Sequence, residues 1–441
     1  MSDERRRQIL KAIAAGTTVG LAGCIGDNSN NNNDNTNDNN NNSDSDGSGG
    51  ISTGLRMVTP GYDDMMSGTV IPLFENQSNS TVETQDTPAD ATSTRDYYVN
   101  QFIAQSSDFD IGMMDVIWPA EFVENGWAQS LGDPGRFEDA MLQTPLEAAT
   151  IDGDLVGVPM FTDANALYYR EDKLEEYGYD GPPETYTELV EIAQDILEQD
   201  DEIQNGYIWQ GGANEGLTIM WLNWLWGMGG TVRHDGDLLV NTDTGIEALQ
   251  HAVDLIYKHE VTPESVPASS TDQNRQTFQQ SGTLFMRNWP YAVALMNADD
   301  SPISGQFNVA QMPTHEDYPD ANNSCLGGWS VFVNAYTGES DAAAEFAEFV
   351  ASKEVQRAIA IENSRLPVRK DIYEDEEVRE EFPLIELFAD ILPRTNARPA
   401  TAEYPTFSEI VFTECNKALV QEKSPQEALN DAQEQIDDNV N

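Results

Sequence analysis

Basic residues are scarce in this sequence. Lysine and arginine number 23 against 77 aspartates and glutamates, a formal net charge of −54, and only seven of the 441 residues are lysine. A chain this acidic repels a phosphate backbone and an anionic lipid surface, so neither nucleic acid nor an electrostatically bound membrane is expected as a partner. The GxxxxGK[ST] loop that cradles a nucleotide phosphate is absent. The four histidines, His234, His251, His259 and His315, occur without an HExxH pair, so no metal or other cofactor is expected. Cysteine is rarer still, with Cys24, Cys325 and Cys415 alone, too few for a disulfide scaffold. Cys325 and Cys415 are compatible with a bridge outside the cell, and their spacing does not decide it. Long apolar runs are missing too. The most apolar stretch, "GLTIMWLNWLWGMGG" at 216–230, is shorter than the ~20 residues of a bilayer crossing. It also carries Asn223, and reads as a buried core helix.

Acidity of this degree often accompanies disorder, yet eight Trp, fifteen Tyr and sixteen Phe argue for packed cores. A folded, acidic chain points to adaptation to very high salt. Near 1 M the Debye length shrinks to ~3 Å, which screens carboxylate self-repulsion. The same abundance makes chance pairs of carboxylates uninformative. A glycoside hydrolase needs only such a pair, so an exported hydrolase stays open as an alternative. No positive sign of an enzyme is present, and none is expected.

The chain opens "MSDERRRQILKAIAAGTTVGLAGC". Arg5, Arg6 and Arg7 precede a short apolar body that ends in small residues, the order of an export signal over 1–23. "RRQILK" resembles a twin-arginine signal, and "LAGC" resembles a lipobox, which is cut before the cysteine so that its thiol takes up lipid. Cys24 is therefore the expected lipidation site. Residues 27–50 are nearly all Asn, Asp, Ser, Thr and Gly, a composition that cannot bury enough apolar surface to offset its ordering entropy. Residues 24–50 are expected to be a disordered tether of roughly 25–30 Å. It would hold a folded body at the extracellular face of the cell membrane.

The rest of the chain is long enough for two domains with separate cores. "GLRMVTPG" and "DIGMMDVIW" read as strands, and "DGDLVGVPMF" as a hairpin strand after an Asp-Gly turn. "SGTVIPLFENQS" reads as a helix. "PETYTELVEIAQDILEQD" is a helix with a capping box, Thr185 at the N-cap and Glu188 three on, and a stripe of Leu189, Ile192, Ala193, Ile196 and Leu197. "GIEALQHAVDLIYKHE" and "DAAAEFAEFVASKEVQRAIA" repeat the helical spacing. Strands alternating with helices imply an α/β fold with mostly parallel sheets. Ligands in such folds sit beyond the strand ends. There the sequence places aromatic rings beside hydrogen-bonding groups: Asp115 with Trp118, Phe161 with Asp163, Trp209 with Gln210, then Trp289, Gly328 with Trp329, and Arg398. A sugar ring suits that mixture, since its C–H face packs on an aromatic ring and its hydroxyls bond to carboxylate and guanidinium.

From about residue 55 onward the chain resembles the ABC-transporter extracellular solute-binding proteins, among them the trehalose/maltose-binding type. The motifs "MDVIW", "FTDANALYYR", "WQGGANEGL", "RNWPYA", "NADDSP", "LGGWSVF" and "YPTFSEI" carry the resemblance. It implies two α/β lobes joined by three crossing segments, closing by hinge motion on a sugar between them. On that pattern one lobe takes 51–160 and 302–335, the other 164–298 and 339–441. The resemblance further implies that Asp115 and Asp163 accept from sugar hydroxyls and that Arg95 and Arg398 donate to them. Trp289 and Trp329 would stack on the rings, with the Gly328 N–H a further donor. Asp63 stands where the family has glutamate, and Phe161 where it has tyrosine. A disaccharide such as trehalose or maltose is the expected ligand and the protein a monomer, with permease and ATPase subunits on other chains.

Overall fold

The computed structural model describes residues 53–87 and 90–441; the expected export signal, Cys24 and the tether lie outside the described residues. Strands and helices alternate over two mixed sheets. The first runs, in spatial order, Leu366–Pro367, Val158–Ala164, Ser324–Val333, Ile111–Asp115, Gly54–Pro60, Thr81–Thr87, with Thr395–Asn396 paired to Ser324–Val333. The second runs Phe307–Ala310, Ala166–Arg170, Thr283–Asn288, Asn205–Ile208.

The expectation of mostly parallel sheets needs correction. Gly54–Pro60 pairs in parallel with both neighbours, but Ser324–Val333 is antiparallel to Ile111–Asp115 and to Val158–Ala164. The cause is the crossing chain. Val158–Ala164 leads into the second body and Ser324–Val333 returns from it, so they run in opposite directions.

Each sheet has its own hydrophobic core. One gathers Leu55, Val58, Met113, Trp118, Phe122, Phe332, Phe346 and Val355; the other gathers Leu167, Trp209, Trp221, Leu249, Phe285, Phe388 and Val411. Among the described residues the chain changes core near Ala164, again between Leu326 and Trp329, and finally over Ile359–Ile372, where Ala360 and Leu366 pack in the second core and Val368 in the first. Two of the expected boundaries move. Phe307–Ala310 hydrogen-bonds to Ala166–Arg170 and belongs with the second core, not with 302–335 in the first. The helices Ser340–Phe349 and Lys353–Asn363 bury Phe346, Ala347, Val355 and Ile359 in the first core, so 339–441 is not one lobe segment. An apolar helix face fits either sheet equally well in sequence, and only the strand order decides.

The local signals map onto real elements. Thr185 Oγ1 accepts from the Glu188 N–H at 3.1 Å, and the Glu188 carboxylate accepts from the Thr185 N–H at 3.2 Å, capping Tyr186–Gln199. Asp152 and Gly153 (φ 53° and 90°) turn a hairpin between Thr150–Ile151 and Asp154–Leu155, the type I′ geometry that Asp-Gly favours. The helical spacing of "DAAAEFAEFVASKEVQRAIA" is carried by two helices, the second starting where Ser352 caps the Val355 N–H. The tryptophan-rich stretch is a helix, Glu215–Gly227, buried almost all round. Among the described residues no helix is long and apolar enough to cross a membrane. Cys325 and Cys415 are both free and buried, so the open question of a bridge resolves to two separate thiols.

Candidate functional site

A cavity of about 530 Å³ lies between the two cores. Tyr62, Asp115, Asp163, Trp329 and Arg365 reach it from the first sheet and its connections, and Glu215, Trp289 and Tyr291 from the second. Sheet register assembles much of it. Trp329 pairs with Asp115 on one side of its strand, while Gly327 pairs with Asp163 on the other, beside a register shift at Trp329/Ser330. Two glycines make room. A Cβ on Gly327 would come within 2.9 Å of the Trp289 ring, so the indole lies directly against the strand backbone. Gly328 has φ +132°, and a Cβ there would sit 2.6 Å from the Phe161 carbonyl oxygen.

Charge at the site is buried and unevenly paired. Arg398 bridges the two halves, donating to Asp115 at 3.1 Å and to Glu215 at 2.7 Å. Glu215 also accepts from the Tyr404 hydroxyl at 2.6 Å and from Ser408. Burial nevertheless outweighs the attraction of Arg398 and lifts the Asp115 carboxyl to about 6, with Glu215 adding to the rise. Asp163 is pushed up to about 7, first by burial, against the pull of Arg365 and Arg287 and with the help of Asp115. Its Oδ1 has no hydrogen-bond partner. Arg365 stands over three rings, Phe161 at 4.8 Å, Tyr62 at 4.9 Å and Tyr291 at 5.3 Å. Arg287 lies 4.1 Å from the Trp289 ring centre, and burial lowers its guanidinium to about 10. Trp329 meets Tyr62 and Trp118 edge-on, both at 5.3 Å.

Of the expected contact residues, Asp115, Asp163, Trp289, Gly328, Trp329 and Arg398 share this cavity. Three do not line it. Asp63 begins a helix in which successive side chains point about 100° apart, and its neighbour Asp64 faces the cavity instead. Phe161 lies in the first core, its ring beneath Arg365. Arg95 is held in a forked pair by the buried Glu121 carboxylate, with Nε donating at 2.8 Å. A buried acid left without its cation would be costly, which ties Arg95 there. Reading the sequence missed Arg365, Tyr62, Tyr291 and Glu215. Tyr62, Tyr291 and Glu215 sit inside or beside motifs that drew attention for another residue. Arg365, in "NSRLP", had no aromatic neighbour in sequence to mark it.

A larger hollow, about 890 Å³, draws on the second lobe alone, between residues 179–192 and 310–319. Its one arginine, Arg394, already donates to Gln311 at 2.6 Å. Among the described residues no group of three or more His, Cys, Asp or Glu is placed to hold a metal ion.

The family model of bacterial extracellular solute-binding proteins matches residues 63–357. A probable ABC transporter-binding protein of Deinococcus radiodurans is 31% identical over 387 residues, covering 86% of this chain and 91% of that protein. Maltose-bound MalE3 of T. maritima is 34% identical, with a TM-score of 0.82 over 87% of this chain and 99% of its own. A solute-binding protein of Thermotoga lettingae with bound α-D-tagatose shares the fold at a TM-score of 0.78 and 24% identity, over 88% of this chain and 100% of that one. These relatives are binding proteins, so the hydrolase alternative falls away. By the match across 63–357 and by its likeness to MalE3, the chain is a two-lobed member of the bacterial extracellular solute-binding proteins and not an enzyme.

Proposed function

We propose that this protein captures a disaccharide such as maltose or trehalose by closing its lobes on it, then delivers it to an ABC permease built from other chains. The cavity walls carry the reading. Two indoles, Trp289 and Trp329, and the carboxylates of Asp115 and Asp163 line one cleft of about 530 Å³ drawn from both lobes. That combination suits a neutral ring with an apolar face and a hydroxyl rim. Likeness to a maltose-bound relative at 34% identity supports it. A micromolar dissociation constant, about −8 kcal/mol, is within reach of two stacked rings and several charge-assisted bonds.

Cys24 is proposed as a lipid anchor, with 24–50 as the tether to a monomeric receptor at the outer face of the membrane. The net charge of −54 supports a working environment of molar salt. Calorimetric titration with maltose, trehalose and glucose in molar KCl tests the ligand. One-to-one saturable binding of a disaccharide without turnover is the expected result, and absence of binding to every sugar overturns the reading. Radiolabelled lipid should be incorporated into the wild-type chain in cells and not into Cys24→Ser.

A further inference from the structure

Among the described residues, Arg365 is the one arginine lining the cavity whose side chain has no polar partner. It is 9% exposed, its Nε is buried without a hydrogen bond, and its guanidinium stands over the three rings of Tyr62, Phe161 and Tyr291. A guanidinium has five N–H donors, and leaving the buried one at Nε without a partner is costly. Arg398, by contrast, is engaged by Asp115 and Glu215. Arg287 is fully buried behind Trp289 and bonded to Gln210 at 2.9 Å.

Asp163 lines the same cavity and carries an unused acceptor. Asp163 is 6% exposed, and its Oδ1 is buried without a donor. The two charges influence one another, Arg365 being the strongest charged neighbour of Asp163. Yet they form no ion pair among the described residues. An unused donor and an unused acceptor that line one cavity and are not paired with each other suit an atom that can both accept and donate. A hydroxyl oxygen does this, whereas an ether, a fluorine or a methoxy group only accepts.

Resting on the sugar-capture reading above, we infer that Arg365 is a specificity-determining ligand contact that works with Asp163. One sugar hydroxyl accepts from the Arg365 guanidinium and donates its own proton to the Asp163 carboxylate. The aromatic box fixes the guanidinium plane before the sugar arrives, so little ordering remains to be done at binding. The box also draws on both lobes, Tyr62 and Phe161 from the first and Tyr291 from the second. The site therefore demands a free hydroxyl at one ring position and rejects sugars in which it is removed, methylated or replaced by fluorine.

The test is calorimetric titration in molar KCl of the wild type, Arg365→Gln, Arg365→Lys and Asp163→Asn. The probes are maltose, trehalose and their monodeoxy analogues, and thermal melts establish that each variant is folded. Arg365→Gln is expected to weaken the preferred disaccharide by about 10- to 100-fold. One monodeoxy analogue should lose a similar factor on the wild type and less than about threefold more on Arg365→Gln, because both changes remove the same bond. Arg365→Lys keeps the charge without the planar fork and should fall between, and it carries the same deoxy series if Arg365→Gln does not fold. Wild-type affinity in the variants, or losses that multiply in full at every ring position, overturns this inference alone. A wild type that binds neither disaccharide overturns the sugar reading beneath it.

Discussion

Acidification should loosen the grip of the cavity on its sugar. Asp163 and Asp115 sit at about 7 and about 6 in the empty cavity, raised chiefly by burial. The ionised carboxylate is the strong, charge-assisted acceptor, while the protonated acid keeps only its weaker carbonyl acceptor, so below these values tight binding requires a proton to leave first. The penalty factor for one group is 1 + 10^(pKa − pH). For Asp163 at about 7 it is about 2 at pH 7 and about 100 at pH 5, or about 2.7 kcal/mol, and Asp115 at about 6 adds about tenfold at pH 5. Affinity should therefore rise from pH 5 to pH 7 and level off by pH 8, with net proton release on binding near pH 6. Stability runs the other way at these two sites. Their folded-state values lie above those of an unfolded aspartate, so their stabilising contribution is full below about pH 4 and is lost as the pH climbs toward 7. Titrations from pH 5 to 8, each in two buffers of different ionisation enthalpy, count the protons directly. Asp163→Asn should flatten most of the profile. A pH-independent affinity, or proton uptake on binding, would refute the reasoning.

Further outcomes follow from individual residues. Gly328→Ala should destabilise the fold by about 2–4 kcal/mol in chemical denaturation, because the new Cβ meets backbone rather than a movable side chain, at φ +132°. In the native protein Cys325 and Cys415 should stay unreactive toward thiol reagents, and reducing and non-reducing gels should agree. Burial lifts Cys325 to about 11, which leaves about one thiolate in a thousand at pH 8. Melting temperature should climb steeply from dilute buffer to molar KCl, and a salt-independent melt would remove high-salt adaptation as the account of the −54 charge.

Periodic elements were legible before any coordinates. The Thr185 cap, the Asp-Gly hairpin and the buried tryptophan helix are set by neighbours within a few residues, which a sequence displays openly. Lobe membership was not legible for Phe307–Ala310 or for the helices of 340–363, because their apolar faces fit either sheet and the choice rests on pairing with strands far along the chain. The site divides the same way. Asp115, Asp163 and Trp329 stand at strand positions whose register brings them together. Arg95 failed because the partner that removes it from the cavity, Glu121, lies 26 residues away. Arg365 escaped notice for the converse reason, since all three of its rings are distant in sequence.

The strand Ser324–Val333 starts with Cys325 in one core and finishes with Val333 in the other, and two adjacent glycines, Gly327 and Gly328, lie between. With no side chains there, the Phe161 carbonyl and the Trp289 ring come directly against the strand backbone. The same two glycines are part of the cavity wall, with Gly327 directly beneath the Trp289 ring. Were the halves to swing on this strand, joint and cavity floor would be one piece of backbone, and filling the floor would bias the swing without any intermediate lever.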